Sequence, residues 1–166
     1  LITSSAASDV YKRQISDIYL DCASPFIDLK PHPWRRLKTA SSTRKVPLAG
    51  AALWAAKRIC DSVSSEYAFP SYIRDGTCLS NSASGALNKW LKKYVPPGCT
   101  VHSLRHSMRD RIRSVECPKD IVDQIGGWAS VSVGEAYGDG YPLEVLSRRI
   151  ARACHQDLTK RSDYSV

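Results

Sequence analysis

Proline and glycine divide the second half of this chain into short segments. Pro96-Pro97-Gly98 ends one apolar segment, and Pro118 stands where the first turn of a helix favours proline. Gly126-Gly127 then supplies the glycine that commonly follows the last turn of a helix. The sequence therefore predicts two separate helices here, over residues 102–115 and 118–127.

The rest of the chain predicts a mainly α-helical domain that carries a small antiparallel β-hairpin or sheet. Apolar residues spaced three and four apart indicate helices, and turn-prone residues separate the short strands. Strands are predicted at residues 17–30 and 44–48, and a basic stretch at 34–38 and a turn at 39–43 precede the second strand. Helices are predicted at residues 51–60, 81–94 and 142–155, and a short helix is predicted around Tyr137. Residues 62–80 are predicted to form an irregular loop.

Composition limits the kind of protein this is. The chain has 166 residues, of which 43% are hydrophobic, and these are enough for the core of one domain. Its formal net charge of +8 favours an anionic partner, with nucleic acid first. No apolar run approaches the roughly 18–20 residues that cross a bilayer. We therefore expect a soluble protein that has no membrane partner.

The six cysteines are scattered along the chain and form no Cys-x-x-Cys pair. This distribution argues against a zinc knuckle and against a disulfide framework. Small buried cysteines fit a reducing compartment. We therefore expect a cytoplasmic protein that has no metal site.

His102, Arg105 and Arg109 fall on one face of the helix predicted over residues 102–115. An arginine fork matches the spacing of phosphate oxygens and stays charged at any working pH. A histidine near neutral pH can both donate and accept a proton. Together the two residue types suit phosphoryl transfer, although the same spacing also fits an ordinary solvated helix face.

Gly126-Gly127-Trp128 and then Tyr137 follow this face, and the order of these motifs resembles the C-terminal catalytic domain of the tyrosine recombinases, the phage integrase family. The resemblance extends over about residues 15–153. It implies that Tyr137 is the catalytic nucleophile and that Arg105 binds the scissile phosphate. His102 and Trp128 would stabilise the transition state.

A basic hairpin before these motifs supplies the other implied functional residues. The phrase from Leu37 to Leu48, which ends in Val-Pro-Leu, resembles the family's β-hairpin, and Lys38 has the position of its catalytic lysine. The alternative is a generic patch that binds the DNA backbone with no specific role for any one residue. The candidate DNA-binding residues are Arg35, Arg36, Arg44, Lys45 and Arg109.

Three assignments near the predicted site have a close alternative. Tyr141 lies four residues after Tyr137, but the nine-residue step from Trp128 favours Tyr137 as the nucleophile. Neighbouring cations would have to stabilise its phenolate, because a tyrosine is otherwise a weak nucleophile at neutral pH. Taken alone, Trp128 is better explained as a core residue. His106 fits a packing or supporting residue better than a second phosphate ligand.

One family feature is not found before Lys38: a helical Gly-x-Arg-x-x-Glu phrase that carries the first catalytic arginine. Residues 1–14 contain "SSAASDVYKRQ", which looks like translated adaptor sequence from a metagenomic assembly, and we expect them to be non-native. We expect residues 15–155 to be a partial catalytic domain, truncated on its amino-terminal side. A polar tail is predicted at residues 156–166.

The resemblance implies a site-specific DNA recombinase of phage or prophage origin. It would cut and rejoin DNA attachment sites through a 3′-phosphotyrosyl intermediate, without ATP, metal or another cofactor. It would act as a homotetramer on DNA, together with a DNA-bending accessory protein, in the cytoplasm of a bacterial or phage-infected cell.

Other functions stay open on the sequence alone. An inactive prophage remnant would bind DNA without cutting it. A type IB topoisomerase uses a similar residue set to relax supercoils, but the short interval from Trp128 to Tyr137 favours the recombinase. An RNA-binding or structural helical protein would leave the ordered motifs unexplained.

Overall fold

Five helices and two small antiparallel sheets make up the part of the chain that the structure describes. The structure is a computed structural model, and it describes residues 14–32, 37, 42–128 and 140–161, with side chains through residue 155. The helices are α1 (Gly50–Ser62), α2 (Ser80–Leu91), α3 (Val101–Ser114), α4 (Lys119–Gly126) and α5 (Leu143–Arg161). The predicted mainly α-helical fold with a small antiparallel sheet is confirmed.

A three-stranded antiparallel sheet follows a 3-10 turn at Ile15–Asp17. Its strands, in spatial order, are β1 (Ile18–Tyr19), β2 (Phe26–Leu29) and β3 (Arg44–Pro47). Ile27 of β2 lies opposite both Ile18 of β1 and Val46 of β3. The prediction of one strand over residues 17–30 was wrong, because Pro25 and the turn-forming residues before it divide this stretch into two strands.

The strand predicted at residues 44–48 is confirmed as β3. Its partner in the described part of the chain is β2. Residues 33–36 and 38–41, which make up most of the predicted basic stretch and turn, lie outside the described residues. They belong to the connection between β2 and β3.

Residues 62–80, predicted as an irregular loop, contain a two-stranded hairpin. β4 (Ile73–Arg74) pairs with β5 (Thr77–Cys78). The two residues between these strands, Asp75 and Gly76, both have positive φ, at 50° and 71°. Positive φ at both central positions is typical of the type I′ turn, whose twist matches that of two adjoining strands. The Asp-Gly pair is therefore the sequence signal for this hairpin.

The main hydrophobic core forms where α3, α4 and α5 meet. The apolar residues of α4 are spaced by one and three positions, so they share one face. Those of α5 are spaced by four and three. The buried side chains of this core are Ile112, Val115, Cys117, Ile121, Val122, Ile125, Leu146, Ile150 and Ala153.

Helix α5 is longer than the helix predicted over residues 142–155. It runs to Arg161, because residues 156–161 contain no glycine or proline to end it. The first part of the predicted polar tail is therefore helical. Among the described helices, none combines the length and the apolar character needed to cross a bilayer.

Strand β3 lies against both α4 and α5. This contact matters for the candidate site, because Arg44 is the first residue of β3. The strand thereby brings a basic residue from the first third of the chain to the end of α4.

Candidate functional site

The candidate site is built around the carboxyl end of α4. Gly127, the residue that follows this helix, has a φ of 64°, in the left-handed region. The Trp128 N–H donates to the Asp123 carbonyl at 3.0 Å, and the Gly127 N–H donates to the Gln124 carbonyl at 3.4 Å. These two bonds define a Schellman motif, which explains why glycine stands at position 127.

All four of the last carbonyls of α4 have a partner. In any helix these carbonyls lack a partner within the helix itself. The first two accept the bonds of the Schellman motif. The Ile125 carbonyl accepts a hydrogen bond from Arg44 Nε at 3.0 Å, and the Gly126 carbonyl accepts one from Arg105 Nη2 at 2.7 Å. The partial negative charge at this end of a helix also favours cations, so the backbone of α4 fixes two arginines at one place.

Gly126 has no room for a side chain, because the Trp128 indole lies directly against it. A Cβ at this position would overlap the six-membered ring of the indole. At Gly127, a Cβ would overlap the guanidinium of Arg44. The close contact with the indole therefore favours glycine at position 126, whereas the left-handed backbone conformation favours it at position 127.

Two arginines of α3 lie over the Trp128 indole. The guanidinium carbons of Arg105 and Arg109 are 4.5 Å and 4.7 Å from the ring centroid. Both distances are within the range of cation–π contacts. Residues four apart share one face of a helix, so the same face of α3 supplies both contacts. Trp128 also packs against the main core, which joins the core to this arginine pair.

Asp123 provides the counter-charge for Arg109. Its carboxylate is only 5% exposed, although it belongs to a helix whose buried neighbours are apolar. It accepts a hydrogen bond from Lys119 Nζ at 2.9 Å and lies 3.8 Å from Arg109 Nη2. Within the described part of the chain, Asp123 Oδ1 and Arg109 Nε are buried atoms with no hydrogen-bond partner. The Asp123 carboxylate and the Arg109 guanidinium therefore interact through their charges at ion-pair distance, and among the described residues Oδ1 and Nε take no part in a hydrogen bond.

Arg105 is well placed to bind an anion. It is half-buried, and this burial, together with the nearby charge of Arg109, lowers the pKa of the Arg105 guanidinium. Both causes disfavour the cation, so an anionic oxygen that binds there would stabilise the charged form of Arg105. The hydrogen bond to the Gly126 carbonyl uses only one of the five N–H groups of an arginine side chain.

His102 and His106 occupy exposed positions on the same helix as these arginines. Their rings meet edge to face, with 5.1 Å between centroids. A capping box at Thr100 and a hydrogen bond from the Val101 N–H to Asn88 Oδ1, at 2.8 Å, hold the first turn of α3. The backbone of His102, in that turn, is therefore well fixed.

Arg44 and Lys45 are neighbours in β3, but their side chains have different surroundings. Arg44 is half-buried and also donates from Nη1 to the Ser42 carbonyl at 2.9 Å. Lys45 is exposed, with its Nζ 5.1 Å from the centroid of the Phe26 ring. Arg44 thus stabilises the end of α4, whereas Lys45 faces solvent. DNA contact by either residue stays a prediction, as it does for Arg109.

Tyr141, the alternative nucleophile, is bound to the amino end of α4. Its phenol donates to the Asp120 carboxylate at 2.5 Å, and this bond lowers the pKa of the Asp120 carboxyl group. Asp120 lies in the first turn of α4. At 1.5 Å per residue, that turn is about 9 Å along the axis from Gly126. The Tyr141 hydroxyl is therefore engaged away from the carbonyl that holds Arg105.

The structure brings together Arg105, Arg109, Trp128 and Arg44 at the end of α4, and it leaves His102 on the preceding turn of α3. Four predicted site residues lie outside the described residues: Tyr137, Lys38, Arg35 and Arg36. Among the residues that are described, no group of three or more His, Cys, Asp or Glu side chains is arranged to hold a metal ion.

Comparison with known proteins adds the family. The chain matches the phage integrase family over residues 7–142, most of its length. The chain belongs to the phage integrase family. No curated protein and no solved structure matches it. Membership indicates site-specific DNA recombination in general and DNA as the partner.

The match confirms the resemblance inferred from the motifs. It begins inside residues 1–14, whose non-native origin stays a prediction, as do the other predicted domain boundaries.

Sequence reasoning does not identify the polar residues of α4 that hold the Tyr141 segment and the Arg109 side chain. They are Asp120, Asp123 and Gln124. One signal was present for Asp123: a carboxylate among apolar residues, four positions after Lys119, indicates a buried ion pair. For Gln124 the sequence holds no such signal, because its partner Tyr141 is 17 residues away.

Proposed function

We propose that this integrase cleaves and rejoins DNA strands by transesterification, with Tyr137 as the nucleophile. The phenol oxygen of Tyr137 attacks a phosphodiester phosphorus and gives up its proton to a water molecule of the solvent. The bond from phosphorus to the 5′-oxygen breaks, and a 3′-phosphotyrosyl bond forms. The departing 5′-oxygen takes a proton from Lys38. Attack by a 5′-hydroxyl reverses the step, so the bond energy is conserved.

The other residues act on the phosphate. Arg105 binds a non-bridging oxygen through its guanidinium fork. His102 and Trp128 donate hydrogen bonds as negative charge develops in the pentacoordinate state. The arrangement needs no ATP and no metal to balance its atoms and charges. The homotetramer, the attachment sites and the DNA-bending accessory protein belong to this proposal and rest on the family resemblance alone.

One observation carries most of the proposal: the half-buried Arg105 is fixed by a 2.7 Å hydrogen bond to the end of α4 while its guanidinium lies over Trp128. A cation oriented in this way needs no rearrangement to meet an anion, and such preorganisation is the main source of electrostatic catalysis. The attachment of Tyr141 to Asp120 also supports Tyr137 as the nucleophile, because it engages the other hydroxyl elsewhere.

A covalent-trapping experiment tests the proposal without knowledge of the target sequence. The substrate is a pool of duplexes with a randomised centre and a nick just beyond each potential cleavage position. The short fragment that carries the released 5′-hydroxyl then diffuses away after cleavage and leaves the enzyme attached to DNA. We expect a DNA adduct that survives denaturation in SDS.

Tryptic peptide mapping cannot tell which of the two tyrosines carries the DNA, because both lie in one peptide, residues 120–148. Substitution of each tyrosine distinguishes them. Tyr137→Phe should abolish the adduct, and Tyr141→Phe should retain it. An adduct that survives Tyr137→Phe, or disappears only with Tyr141→Phe, would contradict the assignment of the nucleophile.

A non-catalytic DNA-binding module is the second candidate, favoured by the formal net charge of +8, which accounts for DNA binding without any chemistry. It predicts DNA binding that weakens steeply with salt, because released counterions drive such binding. It also predicts no adduct with any duplex in the pool. Adduct formation by the unchanged chain would exclude it.

A further inference from the structure

Gln124 binds the backbone of Tyr141 at two points. Its Oε1 accepts a hydrogen bond from the Tyr141 N–H at 2.9 Å, and its Nε2 donates to the Tyr141 carbonyl at 3.1 Å. One side-chain amide thus pairs with both polar backbone groups of a single residue. Only a primary amide offers a donor and an acceptor side by side in this way.

The residue before Tyr141 is adapted to this contact. Gly140 has a φ of 73°, which other residues adopt rarely. A Cβ on Gly140 would crowd the Gln124 amide. Glycine at 140 therefore allows the chain to pass close to the Gln124 side chain.

Helix α4 thus holds both sides of the segment that contains Tyr137. Trp128, just before residues 129–139, is held by the Schellman motif and by its contact with Gly126. Gly140 and Tyr141, just after them, are held by Gln124 and by the bond to Asp120. Tyr137 is four residues before Tyr141, and four extended residues span at most about 14 Å.

We propose that Gln124 is a positioning residue for Tyr137: by holding the Tyr141 backbone it restricts where the nucleophile can reach relative to Arg105. Gln124 contacts neither the phosphate nor the reacting oxygen in this scheme. It acts through the chain from residue 137 to residue 141. The inference rests on the proposed function, but its structural part is testable without any DNA.

The structural part is tested by hydrogen exchange at the Tyr141 amide, whose N–H donates to Gln124 Oε1. Exchange there reports the opening of this contact when opening and closing are fast relative to exchange. Loss of one hydrogen bond changes such an equilibrium by about fivefold. Gln124→Ala, which loses two bonds, should raise the exchange rate of the Tyr141 amide by at least that factor.

Asn88→Ala is the matched control. It also removes a side-chain amide that bonds to a backbone group, the Val101 N–H, but at the start of α3. It should destabilise the fold without a specific increase in exchange at the Tyr141 amide. An unchanged rate in Gln124→Ala, or an equal increase in both variants, would overturn the structural part. Gln124→Glu should resemble Gln124→Ala, since a carboxylate cannot donate to the Tyr141 carbonyl.

The catalytic part is tested with a substrate whose 5′-bridging oxygen is replaced by sulfur. A thiolate leaves without a proton from a general acid, so this substrate relieves a defect in protonation but not one in nucleophile position. Gln124→Ala should form the covalent adduct more slowly on both substrates, by a similar factor. Lys38→Ala should be slow only on the oxygen substrate.

The outcomes separate this inference from the proposed function. No adduct with the unchanged chain would overturn the proposed function, while the hydrogen-exchange result would still decide the structural part. A normal adduct rate for Gln124→Ala, with the unchanged chain active, would overturn the positioning role alone. Full relief of Gln124→Ala on the sulfur substrate would also overturn it, since that result would mark a defect in protonation.

Discussion

At the carboxyl end of α4 the backbone itself binds two arginine side chains, whereas at the amino end a side chain of the helix binds a neighbouring segment. Two carbonyls hold Arg44 and Arg105 at the first end. At the second, the Asp120 carboxylate accepts the Tyr141 phenol. Tyr141 is 38% exposed, while the core lies under the Schellman motif at the other end.

This difference between the two ends of α4 indicates where the chain tolerates substitution. Carbonyls cannot be removed by substitution, so the carboxyl end depends on residues that let other groups approach: Gly126, Gly127 and Trp128. The amino end depends on individual side chains that a single substitution can delete. We therefore expect the largest effects at the carboxyl end, on both chemistry and stability.

The largest effect should come from Arg105→Ala. Loss of a fixed donor to a developing negative charge lowers rates by roughly 10²–10³-fold. The covalent-trapping rate should fall by this factor, while salt-dependent DNA binding should change little. Arg105→Lys should recover only part of the rate, because an ammonium lacks the guanidinium fork. A trapping rate within threefold, that is within about 0.7 kcal/mol, would remove Arg105 from the mechanism.

Asp123→Ala should have the next largest effect, on stability. It leaves Arg109 beside the core without its counter-charge. Breaking a fully buried pair costs about 3–5 kcal/mol, and we expect about 2–3 kcal/mol here because the Arg109 side chain is 33% exposed. Chemical denaturation measures this difference.

Lys119→Ala is the control for that comparison. Lys119 binds the same carboxylate but its side chain is 64% exposed, so we expect a loss below about 1 kcal/mol. Equal losses of stability in Asp123→Ala and Lys119→Ala would show that Arg109 does not need Asp123 as its counter-charge.

Helices and their ends were the part of the fold that the sequence could predict. Pro118 and Gly126-Gly127 set the bounds of α4 closely, because proline and glycine act through local backbone geometry. The pairing of β3 with β2 was less accessible, because it depends on contacts between residues about 20 apart. The end of α5 was misjudged because a polar sequence without glycine or proline can continue a helix.

The candidate site, like the fold, has features that the sequence could predict and features that it could not. The shared face of Arg105 and Arg109 followed from helical periodicity. The contact of both arginines with Trp128 and the ion pair of Arg109 with Asp123 did not, since they depend on how α3 packs on α4. Arg44 shows the limit most clearly: a run of basic residues indicates an anionic partner, but this member of the run binds a helix carbonyl of its own chain.

Gly127→Ala should destabilise the fold by about 1–2 kcal/mol, because a left-handed backbone disfavours any Cβ. The overlap with Arg44 adds to this cost. Gly85→Ala is the matched control, since Gly85 lies within α2 with open space around it. That change should stabilise the fold by about 0.5–1 kcal/mol. Thermal unfolding compares the two, and the same sign for both would contradict the Schellman assignment.

The smallest effect should come from Tyr141→Phe at the amino end of α4. The hydrogen bond from the Tyr141 phenol is the main cause of the lowered pKa of Asp120. The bond favours the ionised carboxylate, so its contribution to stability is present above the ordinary pKa of 3.8 and is lost as the pH falls through the lowered value of the folded state. Because the pair is partly exposed, this contribution should be at most about 1 kcal/mol.

Carbon NMR of the Asp120 carboxyl group measures this effect directly. Tyr141→Phe should raise the pKa of Asp120, and the difference in stability between the two proteins should be constant near neutral pH and shrink below pH about 3.8. An unchanged pKa would mean that the phenol does not bind this carboxylate in solution.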